Sequence, residues 1–357
     1  MTTTDERAVR AEHDREAALA TLAVVRRKRL SRRLVVTIGL VVVAVAACLA
    51  ALSVGDLTVS PLQVLLTLTG GGDDVSRLVL LEFRLPRLAV DLSVGVAFGL
   101  AGAMFQSVLR NPLASPDIIG VSQGASVGAV AVLLVAGVSG PLVPVGALVG
   151  AAAVAGLNLA LAWRGGVSGY RFVLCGIALA FVASSILNYF LTRTDSRAAQ
   201  GALTWIAGST ISATYADFWP VLVVVVVLLP AVLWLDRRLG LLEMGDQTAE
   251  ALGVSALRTR LVAVLCGVVL AAVATAAAGP VAFVALISGP VARRLAGDGH
   301  PALPQAALVG MSLMALADLA AQYVLPDAQV PVGIVTGIIG GPYLVWLLAT
   351  GSRRRSA

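Results

Sequence analysis

Apolar runs of about twenty residues recur from residue 34 to residue 350, separated by short polar breaks. A run of that length crosses the roughly 30 Å hydrocarbon core of a bilayer as one helix. In lipid only helices and closed barrels satisfy every backbone N–H and C=O. The repeat therefore restricts the chain to an all-α integral membrane fold of about ten transmembrane helices. Candidate spans are read at 34–54, 86–109, 118–137, 141–163, 168–192, 215–235, 256–278, 280–295, 302–325 and 331–350. The eighth is short and opens on Gly279-Pro280, as a tilted or partly re-entrant helix would. Residues Ala202 to Gly208 are too short to span and suit an interfacial helix.

The composition agrees, at 58% hydrophobic and 13% charged, where a soluble domain has about 45–50% and about 25%. The net charge of +6 does not indicate nucleic acid, because the basic residues sit at membrane boundaries. Of the 26 Lys and Arg, 21 fall on the side of the two termini; only Arg77, Arg84, Arg87, Arg193 and Arg197 fall on the other. That asymmetry places both termini in the cytoplasm. Residues 1–33 read as a mixed-charge cytoplasmic tail with surface-helix character, 34–350 as the transmembrane domain, and 351–357 as a basic tail. No small-residue cleavage site follows the first apolar run, so no cleavable signal is expected. The first outer loop, 55–85, carries Gly70-Gly71-Gly72-Asp73-Asp74 and reads as a flexible turn.

The second and third spans meet at Arg110-Asn111-Pro112-Leu113-Ala114-Ser115-Pro116-Asp117, a proline-broken polar turn too particular for a linker. Gly120, Gly124 and Gly128 then form a stripe that lets another helix approach closely; Gly333 and Gly337 are read the same way in the last span. Arg87 and Asp91, one helical turn apart, are expected to pair. Asp318 is read as an acid with no basic partner in the membrane. A packing hydrogen bond and a proton site are its two readings. Ser184, Ser185, Asn188 and Thr192 make a polar stripe that either bonds a neighbouring helix or lines a hydrated path. Ser184, Asn188 and Thr192, with Gln106 and Trp205, are the pathway candidates.

Cys48, Cys175 and Cys266 lie far apart in apolar runs and read as buried hydrophobes. His13 and His300 have no ligand neighbours at metal spacing, so no metal is assigned. The one lysine, Lys28, lies outside any Gly-rich loop, so there is no P-loop. No nucleophile–His–acid set appears, and no catalytic residue is assigned. Energy must come from another subunit or from an ion gradient. On the cytoplasmic side, residues 236–255 hold two short helical pieces separated at Gly245, with Asp246 as the expected N-cap. Leu241, Leu242, Met244, Ala249 and Leu252 give them apolar contacts suited to a partner groove.

Several blocks together resemble the permeases of iron–siderophore and cobalamin ABC importers. They are Arg84-Leu-Pro-Arg87, Gly102-Ala-Met-Phe-Gln106, Arg110 to Ala114 with Pro116-Asp117 and Gly120-Val-Ser, Leu242 to Gly253, Gly279 to Ile287, and Pro331 to Gly340. They occur in order and extend from about residue 35 to 350. The resemblance implies a ten-helix type II importer permease in the bacterial cytoplasmic membrane. It implies a second permease, two ATPase subunits that use ATP and Mg2+, and an extracytoplasmic binding protein or lipoprotein; this chain itself would bind no cofactor. It makes Leu242, Gly245, Asp246, Ala249, Glu250, Leu252 and Gly253 the segment that docks the ATPase. Many members read Pro-His where this chain has Gly289-Pro290, and many carry Arg where it has Gln322. The form here is similar to the catecholate-siderophore branch, in which different permeases often pair, so a heterodimer is favoured over a homodimer. A ferric siderophore is the expected substrate. Cobalamin or haem is the alternative within the family, and an ion-coupled secondary transporter using Asp318 is the alternative outside it.

Overall fold

The computed structural model describes residues 3–55, 57–163, 169–297, 300–323 and 330–353. Arg164, Asp298, Gly299, the last two residues of the ninth expected span and the end of the C-terminal tail lie outside them. Among the described residues, eight helices are long and apolar enough to cross a membrane.

Helix α1 runs unbroken from Thr3 to Ser53. The expected tail and the first span are thus one rod of about 76 Å at 1.5 Å per residue, more than a bilayer needs. Arg32 ties its middle to the end of the chain's short twelfth helix by donating to the carbonyl of Leu295 at 3.1 Å. The expected flexible outer loop instead folds into α2 (Pro61–Leu68) and α3 (Asp74–Leu78). Ser60 and Gln63 form a capping box that starts α2, and Asp73 caps α3 through the Ser76 N–H at 3.0 Å. The Gly-rich stretch is only the turn between them. A π-helical turn, Val79–Arg84, leads into α4 (Leu85–Leu109).

The third span is α5 (Val121–Val130), extended by a π-helical turn over Ala131–Val135. Next come α6 (Leu142–Ala162), α7 (Gly169–Thr192), α8 (Ser196–Ile206) and α9 (Tyr215–Leu242). The short helix expected over Ala202 to Gly208 thus begins earlier, at Ser196, capped by Asp195. The expected loop from 236 is shorter than read, because α9 continues through Arg237 and Arg238. The chain ends with α10 (Asp246–Ala251), α11 (Ala256–Ala278), α12 (Val284–Ala296), α13 (Leu303–Tyr323) and α14 (Val332–Arg353). Helix α12, with 13 residues, covers only about 20 Å.

The core centres on α4, which packs against α9, α11, α12 and α13. Gly95 and Gly99 lie against the α13 backbone at Gly310 and Ala306, and Gly102 lies against Ala285 of α12. The second contact block joins α5 to α6: a Cβ on Gly124 would lie 2.6 Å from the Gly150 carbonyl, and Gly128 meets Gly146. The stripe read in the third span therefore packs helices, though its first member, Gly120, precedes α5 at φ 88°. With few aromatics, this chain gains contact area by bringing backbones together.

Candidate functional site

The C-terminal ends of α4 and α9, the start of α10 and the first turns of α11 form one polar cluster. Arg110 ends α4 in the left-handed conformation, φ 49°. The turn that follows is held by Asn111, whose side chain accepts from the Leu113 N–H at 3.0 Å. Arg110 reaches across to donate to the Leu242 carbonyl at 2.7 Å and to the Asp246 carboxylate at 2.6 Å. Arg260 of α11 donates to the same carboxylate oxygen at 2.8 Å. Burial works to raise the Asp246 carboxyl, but the hydrogen bonds and charges of Arg260 and Arg110 outweigh it and hold it below the usual carboxylate range. The proline-broken turn and the short helix α10 are thereby one unit.

This geometry corrects two expectations. Asp246 is not the N-cap of α10. Gly245 holds that place at φ 111°, without a side-chain cap, and the Asp246 side chain is spent on the arginines. Leu242 and Ala249 do not face a partner either; both are buried within the chain. Met244 and Leu252 are the exposed large apolar side chains there, at 65% and 59%, with Glu250 and Gly253 exposed beside them.

The five pathway candidates do not form one site. Ser184 lines a cavity of about 490 Å³ with Asp117, Ser122, Gln123 and Ser126, its apolar wall including Phe283 and Leu344. Ser122 donates to Asp117, yet burial dominates and pushes that carboxyl up. Asn188 and Thr192 are exposed on α7 outside this cavity, and Thr192 bonds back to the Tyr189 carbonyl at 3.0 Å. Trp205 lines a separate cavity of about 630 Å³ near Asp217. Gln106 is a buried clamp that also borders a cavity beside Arg110 and Arg293. Its Nε2 donates to the Leu286 carbonyl at 3.0 Å, and its Oε1 accepts from Arg293 at 3.0 Å.

At the opposite end of α4 the expected Arg87–Asp91 pair is not made. Arg87 turns to α13 and grips Asp318 with two hydrogen bonds, at 2.9 and 2.6 Å. The planar guanidinium matches a carboxylate on a facing helix better than one on its own. Gln322 and Thr210 donate to Asp318 as well, at 2.7 and 3.2 Å. The expectation that Asp318 lacks a basic partner is thereby corrected: Arg87, on a facing helix distant in the chain, supplies one. Asp91 is buried beside the pair. Gly333 packs on Ala207 and donates to the Gly208 carbonyl at 3.0 Å. Gly337 meets nothing within 4 Å, so the packing expected of it is not made inside this chain. Among the described residues no group of His, Cys, Asp and Glu could hold a metal ion.

The arrangement matches known proteins along nearly its whole length. The model of the FecCD transport family matches residues 41–350. The ferric enterobactin transport system permease protein FepG of Escherichia coli (strain K12) is 40% identical over 326 residues, covering 91% of this chain and 99% of that protein. The iron(3+)-hydroxamate import system permease protein FhuG of Bacillus subtilis (strain 168) is 38% identical over 306 residues, covering 83% and 91%. A metal-chelate type ABC transporter solved in an inward-facing conformation superposes with a TM-score of 0.77 at 27% identity, over 88% of this chain and 98% of that one.

Proposed function

Because the chain belongs to the FecCD transport family, we propose that it is the permease through which an ATP-driven importer moves ferric-siderophore complexes, of the catecholate type. It is a multi-pass membrane transport subunit and not an enzyme. The likeness to FepG supports the catecholate assignment. The basic-residue asymmetry supports cytoplasmic termini.

The observation that carries the mechanism is the Arg110–Asp246–Arg260 cluster. It ties the exposed α10 to the ends of α4 and α11, two helices of the core. A partner ATPase that grips Met244, Glu250, Leu252 and Gly253 would move α10, and the ion pairs would carry that displacement into α4. ATP and Mg2+ belong to that partner, and a second permease and a binding protein complete the importer. The path for the chelate runs along the Ser184 cavity, whose serines and amide offer hydrogen bonds to a polar complex without fixing its shape. The proton-site reading of Asp318 loses its premise, since Arg87 already engages both carboxylate oxygens.

Uptake by the reconstituted importer tests the proposal. Proteoliposomes holding the chain, its partner permease, the ATPase and the binding protein should accumulate ferric catecholates only with ATP inside. Accumulation of cobalamin or haem instead would overturn the substrate. Uptake by the chain alone under a pH gradient would overturn the mechanism.

A further inference from the structure

The hairpin from α11 to α12 is broken by five residues, Gly279 to Phe283, and both ends of the break are left-handed, with φ 70° at Gly279 and φ 66° at Phe283. Irregular backbone at this depth persists only where protein buries it or a cavity receives it. The first end is buried: Ser209 donates to the Ala278 carbonyl at 2.8 Å, and Gly208 lies against the Pro280 carbonyl. Glycine takes that conformation without cost. Phenylalanine at the second end does not, and a bulky residue held there is an outlier that the surroundings must enforce.

The enforcing contact is a slot on α14. Gly340 is buried, and a Cβ built on it would overlap the Phe283 ring. Phe283 itself is only half-buried, because it also forms part of the wall of the Ser184 cavity. Ser122, Gln123, Ser126 and Ser184 line the same space. A ring that leaves Gly340 frees its backbone to return to the right-handed region, and that rotation redirects the side chain.

We propose that Phe283 is a gating side chain of this cavity: seated on Gly340 it leaves the cavity open, and on leaving the slot it closes it. The proposal rests on the importer reading, in which a partner ATPase drives the change. It commits the strained backbone to the path of the chelate and not to the docking of the ATPase.

A reporter thiol tests it in the full chain within the assembled importer. Cys48, Cys175 and Cys266 are replaced by alanine, Ser184→Cys is introduced, and labelling by a hydrophilic maleimide is timed. Gly340→Ala fills the slot and should slow labelling about tenfold, a shift of about 1.4 kcal/mol in the open population. Adding Phe283→Ala, which removes the displaced ring, should restore the rate. Unchanged labelling in Gly340→Ala, or no rescue in the double variant, overturns the proposal. If Gly340→Ala does not fold, Phe283→Gly decides: it accepts the backbone and has no ring. The parent's labelling should then differ between nucleotide-free and vanadate-trapped importer, and that of Phe283→Gly should not. Equal modulation in both overturns the gate. Failure to transport any ferric siderophore, with the labelling pattern intact, would overturn the substrate assignment and leave the gate standing.

Discussion

Arg110 and Asp246 are separated by 136 residues in the chain and meet at 2.6 Å where α4 ends and α10 begins. The pair is half exposed, with 48% and 40% of the two side chains accessible. Exposed ion pairs contribute at most about 1 kcal/mol, so its value lies in position more than in stability. Asp246→Ala should lower the melting temperature of the purified permease by only a few degrees, the size that about 1 kcal/mol allows. It should reduce uptake by about tenfold or more, because α10 loses its tie to α4 and transmission of the ATPase stroke drops. Uptake at the parent rate, with the ATPase still bound, would remove the cluster from the coupling route.

The pH response of this cluster has a definite sign. The folded Asp246 carboxyl is held below its ordinary value by Arg260 and Arg110 against the opposing effect of burial. Its stabilisation is therefore present above the unfolded value of about 3.9 and is lost as pH falls through the lower folded value. The melting difference between the parent and Asp246→Asn should be flat from neutral pH to about 5, and should shrink only in stronger acid. A difference that disappears near neutrality would contradict the pairing.

Asp117 should respond in the opposite direction. Its burial raises the carboxyl despite the hydrogen bond from Ser122, so the folded state retains a proton that the unfolded state releases. The folded state is then penalised as pH rises above the unfolded value towards and through the folded one. Asp117→Asn keeps an acceptor for Ser122 without the charge. It should raise the melting temperature at neutral pH and lose that advantage in acid.

Breaking the Arg87–Asp318 pair should be costly. Arg87 and Asp318 are 11% and 4% accessible, and removing one partner of a buried pair costs about 3–5 kcal/mol. Arg87→Met alone should unfold the permease at markedly lower temperature in detergent. Arg87→Met with Asp318→Leu should recover much of the loss. No recovery in the double variant would mean that the arginine acts through contacts other than Asp318.

Two glycines that look alike in sequence should behave differently. Gly124→Leu drives a side chain into the backbone of α6 and should abolish folding. Gly337→Leu meets no atom of this chain and should shift stability by no more than about 0.5 kcal/mol. Impaired assembly with a second permease in Gly337→Leu would place that face of α14 at the interface between permeases.

Much of the architecture was legible in the sequence because membrane helices announce themselves locally. Apolar length gives the spans, whereas the capping box of Ser60 and Gln63 that starts α2 went unread in a stretch taken for a flexible loop. The ordered motifs from Arg84 to Gly340 gave the family, and the stripe at Gly124 and Gly128 correctly indicated a close helix contact. What the sequence did not reveal depends on neighbours distant in the chain. The glycines of α4 that form the main core contact carry no label distinguishing them from the others. Only the fold shows that Arg87 pairs with Asp318 and not with Asp91, since helical spacing makes Asp91 reachable but cannot display the better-aligned carboxylate of α13. Only the fold turns Leu242 and Ala249 inward and leaves Met244 and Leu252 exposed. Periodicity records which residues share a helix face. Which face meets which is decided when the helices pack, by the shapes and charges that each brings to the other.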